Sequence, residues 1–344
     1  MKSYFLPLFY LLLFSLIACE SDFQVTSEWK ETTIVYAILN QNDDRHYVRV
    51  QKAFLDEETS AIELAQISDS LYHQYPIEVK FEILNEQGDL AYTIPLELVN
   101  ADTLAIMKEE GDFGTTPYLL YSTNAQLESN REIRLVVDGT KQGRVSAVTS
   151  LINDFEIFKP APSSIDFPTK INLNTSYSLT WNNPNNAALF DLFVRVFYSE
   201  DINSTITNKT LDWPIFNSIV PSDGFSNMYD IIDDSFQGFL FNNLEENLFA
   251  ERQIDSLQFH FFVGTDAIRQ YNEALVAQQS TVTSGGSTPN PYSNVENGLG
   301  LFASRFDEVV EYVLLTNQTA DSLVCHPLTQ NLSFKPITQN LVCP

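Results

Sequence analysis

The sequence predicts a mainly all-β chain built of β-sandwich units, with a few short helical insertions. Short segments alternate apolar and polar side chains with a period of two, polar turn sequences separate these segments, and little of the chain has helical periodicity. The 25 Phe and 15 Tyr residues supply enough apolar surface for sizeable cores. We therefore expect a folded β protein, with its charge on the solvated surface.

The first half of the chain shows the alternation most clearly. Six segments share it and are predicted to be strands: TIVYAIL (33–39), HYVRVQKAF (46–54), IEVKFEIL (77–84), LAYTIPL (90–96), REIRLVV (131–137) and RVSAVTSL (144–151). In the third, Val79 and Phe81 share one face and Glu82 lies on the other, and Gly88 then permits a hairpin turn. Residues 60–73 have the spacing of a short helix.

A second unit is predicted to follow the prolines of FKPAPSS (158–164), which gives domains at 32–156 and 157–344. The segments YSLTWNN (177–183) and ALFDLFVRVFY (188–198) are predicted to be paired strands. Trp181 would then be a core residue, as in immunoglobulin-like and fibronectin-type sandwiches.

The remainder of this unit is predicted to be more irregular. Helices are expected over 241–251 and 265–279, the second with Thr265 as its N-cap, and the composition of 280–293 is typical of a loop. The echo between LTQNLSF (328–334) and ITQNLVC (337–343) predicts a closing hairpin.

The N-terminus has the pattern of a lipoprotein signal. Lys2 precedes an apolar run that is shorter than the roughly 20 residues of a membrane span, so residues 1–18 are predicted to be a cleaved signal peptide. The run ends in Leu16, Ile17, Ala18 and Cys19, which resemble the bacterial lipobox. Acyl chains on Cys19 would anchor the chain through a leader at 19–31.

The net charge excludes two classes of binding target. A formal net charge of −26 repels nucleic acid and anionic lipid surfaces. The lipid on Cys19 is therefore the predicted contact with the outer membrane.

Cys325 and Cys343 form a late pair, and in an exported chain such a pair predicts a disulfide. A metal site that includes His326 is the alternative, although the spacing lacks a CxxC pattern.

A search for catalytic chemistry yields no catalytic residue, no metal site and no cofactor motif. The four histidines have no metal-ligand spacing, and HExxH, GxSxG and phosphate-loop motifs are absent from the sequence. Asp230, Asp233 and Asp234 are interpreted as an exposed acidic turn in preference to a calcium site. In NGLGLF, Asn297 and Gly298 are expected to turn the chain into a core strand.

Five segments together resemble a family of Bacteroidota outer-membrane lipoproteins of unknown function. They are VYAILNQNDDRHYVRVQKAFL (35–55), AQISDSLYH (65–73), AVTSLINDFEIFKP (147–160), YSLTWNNPNNAALFDLFVRVFYSE (177–200) and ENGLGLFASRF (296–306). The resemblance implies tandem immunoglobulin-like domains on a lipoprotein that accompanies TonB-dependent receptors or other envelope machinery. The family has no established catalytic residues to carry over.

Two short patterns fit this setting. Glu20, Ser21, Asp22 and Phe23 resemble the acidic signal that exports lipoproteins of these bacteria to the cell surface. Four triplets resemble O-glycosylation sites of this phylum, which require exposure at a turn, and their acceptors are Ser70, Thr103, Ser256 and Ser322.

The sequence thus predicts a non-enzymatic, lipid-anchored, surface-exposed outer-membrane lipoprotein. Its expected partner is an envelope protein, for example a TonB-dependent receptor or a component of secretion machinery. A surface glycan- or ligand-binding lipoprotein with exposed tryptophans is the alternative. A hydrolase would require a cleft that holds at least two acids of raised pKa.

Overall fold

The computed structural model describes residues 31–53, 61–106, 108, 111, 113–129, 131–153, 155–284 and 291–343. The predicted signal peptide, Cys19 and the export sequence at 20–23 lie outside these residues. No helix in the described part is long and apolar enough to cross a membrane.

The prediction of a mainly all-β fold is confirmed. The strands are β1 Thr33–Leu39, β2 His46–Lys52, β3 Glu78–Leu84, β4 Leu90–Pro95, β5 Glu97–Asn100, β6 Leu119–Thr123, β7 Glu132–Thr140, β8 Gly143–Ser150, β9 Ile157–Lys159, β10 Lys170–Ile171, β11 Tyr177–Asn182, β12 Leu189–Ile202, β13 Thr205–Ile219, β14 Ser226–Ile231, β15 Ala250–Gly264 and β16 Leu299–Leu315. The helices are α1 Ala61–Ala65, α2 Ser68–Leu71, α3 Ser235–Asn243, α4 Asp266–Ser284 and α5 Asn317–Cys325, with a 3₁₀ turn at Ala101–Leu104.

The strands form three sheets. The largest has the order β13-β12-β15-β16-β1-β2-β6-β5, with β10 paired to β16. A four-stranded sheet has the order β4-β3-β7-β8, and a three-stranded sheet has the order β14-β11-β9. Each smaller sheet packs face to face against the large sheet, as in a β-sandwich, because the two sheets share a buried apolar cluster.

The large sheet therefore belongs to two sandwiches. Val35, Val48 and Phe302 of the large sheet share a core with Phe81 of β3, while Phe190 and Phe261 share a second core with Trp181 of β11. The first core draws on residues 35–151 with Val295 and Phe302, and the second core draws on residues 152–334. The division into domains at 156/157 stays a prediction, since residues Thr32–Pro344 cluster as one unit.

Strand β16 connects the two halves of the large sheet. Its residues 299–304 pair in parallel with β1, and its residues 305–313 pair in antiparallel with β15. As predicted, a turn at Asn297 leads into this strand, where Leu301 and Phe302 are buried. The motif NGLGLF is thus a structural element that pairs β16 with β1 and places Phe302 in the first core.

Three local predictions are wrong. Strands β11 and β12 lie in different sheets, because alternation fixes which face is buried but not which strand lies alongside. The helix expected at 241–251 lies at α3, and Ala250 already begins β15. In place of the closing hairpin expected over 328–343, a series of turns follows α5. Thr329 donates to Leu323 of the helix, and Ile337 and Thr338 donate to Asp321 of the helix.

The helix expected at 265–279 is present and longer than predicted, since α4 extends to Ser284 into the expected loop. Thr265 precedes the helix as expected. Its hydroxyl, however, donates to the carbonyl of Ser304 at 3.1 Å, which ties the start of the helix to β16.

Candidate functional site

A cavity of about 670 Å³ lies on the outer face of the four-stranded sheet. Strands β3, β7 and β8 form its floor, and residues 294–296, which lead into β16, form one wall. Leu90 and Val148 supply apolar surface, and they are 55% and 42% exposed. We call this cavity the β8 cleft.

Glu82 lies at the floor of the β8 cleft and is only 7% exposed. The sequence correctly assigned it to the face opposite the apolar residues of β3, but gave no sign of its burial. Arg134, directly opposite on β7, donates to one carboxylate oxygen at 3.2 Å, and Arg144 of β8 donates to the other. Two guanidinium groups thus compensate one buried carboxylate, which leaves a net positive charge at the floor.

The same sheet face continues this network of charges. Lys80 of β3 lies 2.8 Å from Asp138 of β7, and this hydrogen bond raises the pKa of Lys80. Arg144 also approaches Asp138 at 4.0 Å, so the two ion-pair groups are continuous across the sheet. The basic groups of this face, Lys80, Arg134 and Arg144, are thus each paired with an acid of the same face.

The wall of the β8 cleft is fixed by hydrogen bonds to β8 and β16. Ser146 and Glu296 exchange backbone hydrogen bonds at 3.2 and 2.7 Å, and the Ser146 hydroxyl donates to the Glu296 carboxylate at 3.2 Å. The side chain of Asn294 bonds to both the N–H and the C=O of Phe302. Sequence reasoning gave no site role to the cleft residues Arg134, Arg144, Ser146, Asn294 and Glu296; the available signal was that Asn294 and Glu296 immediately precede the NGLGLF motif.

The chemistry of the β8 cleft fits binding of a polypeptide surface. Arg144 is half exposed and keeps guanidinium N–H groups that face away from Glu82, and Glu296 offers a carboxylate of opposite sign. The exposed apolar side chains of Leu90 and Val148 line the same cleft. The Ser146 hydroxyl donates to a carboxylate, and no histidine lines the described cleft, so a Ser–His nucleophile pair is not assembled there.

The structure joins Cys325 to Cys343 in a disulfide. His326 pairs instead with Asp234, at 3.2 Å from Nε2 to the carboxylate. Among the described residues, no group of three or more His, Cys, Asp or Glu side chains is placed to hold a metal ion. Asp230 accepts a hydrogen bond from Ser178, so Asp230 and Asp234 have separate partners.

The four candidate glycosylation acceptors differ in exposure. Thr103 is exposed in the 3₁₀ turn, which meets the stated requirement. Ser256 is half-buried within β15, and Ser322 donates its hydroxyl to Asn174 and Thr319 inside the fold. Ser70 is half-buried in α2.

Neither described tryptophan offers a ring to a glycan. Trp181 is fully buried and stacks on Phe216, and Trp213 is buried against Phe236. Trp29 lies outside the described residues.

Among the residues that the structure describes, three acids have a raised pKa, and they do not share one site. Burial raises the pKa of Asp255, Asp307 and Glu308. Asp307 and Glu308 are consecutive in β16 and so face opposite sides of the sheet, and Asp255 lies on β15. Glu308 lines a separate cavity of about 310 Å³ with Phe155 and Ser163. These acids do not form the pair that the hydrolase hypothesis requires.

No family model and no curated protein matches this chain. Among solved structures it is similar to a DUF4785 family protein from Legionella pneumophila subsp. pneumophila, with 11% identity over 66% of this chain and 51% of that chain and a TM-score of 0.20. The chain thus spans about half the length of the Legionella protein.

Two calcium-binding domains are also similar. CBD12 of CALX1.1 and CBD12 from CALX1.2 each have 8% identity over 80% of this chain and a TM-score of 0.16, and the match covers 98% and 100% of those chains. Scores this low carry no argument about function.

Proposed function

We propose that this protein is a non-enzymatic, lipid-anchored outer-membrane lipoprotein that binds another protein of the cell envelope through the β8 cleft. The observation that carries the proposal is the combination, in one cavity, of exposed Leu90 and Val148 with the charged groups of Arg144 and Glu296. Apolar surface bordered by charged and polar groups is the anatomy of a protein–protein interface.

The N-terminus supplies the reason for an envelope partner. A lipid on Cys19 would hold the domains at the outer membrane, and the export sequence at 20–23 would direct them to the cell surface. A TonB-dependent receptor or a secretion component in the same membrane would then meet the cleft at high effective concentration.

The test is affinity purification of the full chain, at native expression, from detergent-solubilised membranes. Leu90→Glu places a charge in the cleft and is expected to abolish recovery of the partner. Leu98→Glu is the matched control, because Leu98 lies on β5, outside the cleft, and is also 55% exposed. Recovery of the wild-type protein alone, or an equal effect of both substitutions, contradicts the proposal.

A further inference from the structure

Strand β13 forms one edge of the large sheet, and no other strand in the described part of the chain pairs with its outer side. It is 15 residues long, whereas β5 at the opposite edge has only four. The first six residues of β13 are all exposed. An unpaired strand edge presents N–H and C=O groups that can extend the sheet with another chain.

The hairpin geometry shows which backbone groups are free. Asn203 and Ser204 have φ values of 53° and 66°, as in a two-residue type I′ turn, and Ile202 is paired with Thr205. The residues that flank such a turn exchange hydrogen bonds, and the pattern alternates along an antiparallel pair. The backbone N–H and C=O groups therefore bond to β12 at Thr205, Thr207 and Lys209. The backbone groups point outward, away from β12, at Ile206, Asn208 and Thr210.

These outward positions lack the usual protection of an edge strand. Ile206, Asn208 and Thr210 carry no charge, and Ile206 is 67% exposed. Lys209, the one charged residue within 205–211, points to the inner face and pairs with Glu200. Pro214 and the positive φ of Ser218 interrupt the strand only beyond this stretch.

The stretch is also self-complementary. When two copies meet in antiparallel about a two-fold axis at Asn208, the two Asn208 residues lie opposite each other and Ile206 lies opposite Thr210 of the other copy. The acids near this edge have basic neighbours: Glu200 pairs with Lys209 and Arg252, Asp212 pairs with Arg195, and Asp201, which lies opposite Ile206 on β12, interacts with the charge of Lys335.

From these observations we infer that β13 is a homodimerisation edge, along which a second copy of this chain continues the nine-stranded sheet. The residues that face the second copy, Ile206, Asn208 and Thr210, are uncharged, although each chain has a formal net charge of −26. Repulsion between the remote charges is screened over about 8 Å at physiological ionic strength, so added salt strengthens the dimer.

Sedimentation of the detergent-solubilised full chain over a range of concentrations tests the inference. We expect a concentration-dependent dimer whose dissociation constant falls as salt rises. Ile206→Lys places a charged side chain opposite Thr210 of the second copy and is expected to raise the dissociation constant by about tenfold or more. Leu98→Lys, on the opposite edge strand β5, is the matched control and leaves the dissociation constant unchanged.

A covalent readout uses the predicted symmetry. Asn208→Cys is expected to give a disulfide-linked dimer under mild oxidation, whereas Asn42→Cys, in the exposed turn between β1 and β2, leaves the chain monomeric on denaturing gels. Asn208→Pro removes an outward N–H without loss of an intrachain bond, so it is expected to dissociate the dimer, and its thermal midpoint should equal that of the wild type when both are measured below the dissociation constant.

Three outcomes overturn the inference. They are a monomer at every concentration, equal effects of Ile206→Lys and Leu98→Lys, and no cross-link through Asn208→Cys. A monomer that loses a membrane partner with Ile206→Lys would assign the edge to a strand of a different protein. The β8 cleft test is independent of these results.

Discussion

Gly300 of β16 lies directly opposite Val35 of β1. Its φ is +124°, and a Cβ atom built there would be 1.8 Å from the carbonyl oxygen of Val35. Both the conformation and the approach of the two strands therefore require glycine. The parallel pairing of β16 with β1, which brings Phe302 into the first core, depends on this position.

We predict that Gly300→Ala destabilises the protein by about 3 kcal/mol or more, because β16 must move away from β1. Gly88→Ala is the control, since Gly88 has a φ of +82° with nothing within 4 Å of a built Cβ. Urea unfolding measures both, and the control should lose only about 1 kcal/mol. Equal losses would show that the contact with Val35 is not tight.

Glu200 and Arg252 form an ion pair that is almost completely buried, at 4% and 3% exposure. Arg252 also donates to the carbonyl of Leu332 at 2.9 Å, so the pair fixes the C-terminal tail against β15. Lys209 donates to the second oxygen of Glu200. Hydrogen bonds from Lys209 and Arg252 hold the pKa of Glu200 below its ordinary value.

This pair predicts a pH dependence of stability. A lowered pKa means that the unfolded chain binds the proton more readily, so the stabilisation is complete above the ordinary value of 4.5 and is lost as pH falls below it. Glu200→Gln leaves Arg252 buried without its anion and should cost about 3–5 kcal/mol at neutral pH. Urea unfolding at decreasing pH should show the difference between wild type and variant shrink. A constant difference would contradict a role for the ionised carboxylate.

At the scale of elements, period-two alternation predicted β1, β2, β3, β7 and β8, each of which has buried positions; it also predicted β4, which has none, and it did not predict β5 or β6. It could not predict contacts made across many residues. Glu82 is buried only because Arg134 and Arg144, which are 52 and 62 residues away along the chain, reach it. The same limit explains β11 and β12, whose buried faces were predicted correctly although their pairing was not.

The C-terminal tail was mispredicted for a related reason. The echo between its two segments resembles a hairpin, but the tail is bound by other elements. Asp321 of α5 accepts from the backbone N–H groups of Ile337 and Thr338, and Thr329 donates to Leu323. These tertiary hydrogen bonds outweigh the pairing of two short segments.

The disulfide is the covalent part of this attachment. Its cysteines are 18 residues apart, and a loop of that size predicts a stabilisation of about 3 kcal/mol. Replacement of Cys325 and Cys343 by Ser should lower the free energy of unfolding by up to that amount. It should also expose residues 339–343 to protease, while Arg252 still holds residues 332–335 and Asp321 still holds Ile337 and Thr338. An unchanged cleavage pattern would show that hydrogen bonds alone fix the tail.

At the scale of the whole molecule, the central question is whether the two sandwiches unfold separately. The sequence places a linker between them, which favours independent domains. In the structure both sandwiches use the large sheet, and β16 contributes Phe302 to one core and Phe306 to the other. Unfolding of either core would expose the side chains that β16 buries there and so destabilise a strand that the other core also requires. We therefore expect the two sandwiches to unfold together.

A substitution in one core, observed from the other, decides this question. Trp181 and Trp213 both lie in the second core, so in a Trp29→Phe background tryptophan fluorescence reports that core. Phe81→Ala acts in the first core, where Phe81 stacks on Phe302 at 6.0 Å, and should cost about 3–5 kcal/mol. We expect the fluorescence midpoint in urea to fall together with the circular dichroism midpoint. Phe259→Ala, in the second core, is the control that lowers the fluorescence midpoint in either case. The opposite outcome is that Phe81→Ala leaves the fluorescence transition unchanged and produces a separate circular dichroism transition at lower urea concentration. In that case the two sandwiches unfold as independent domains, divided at the predicted boundary between residues 156 and 157.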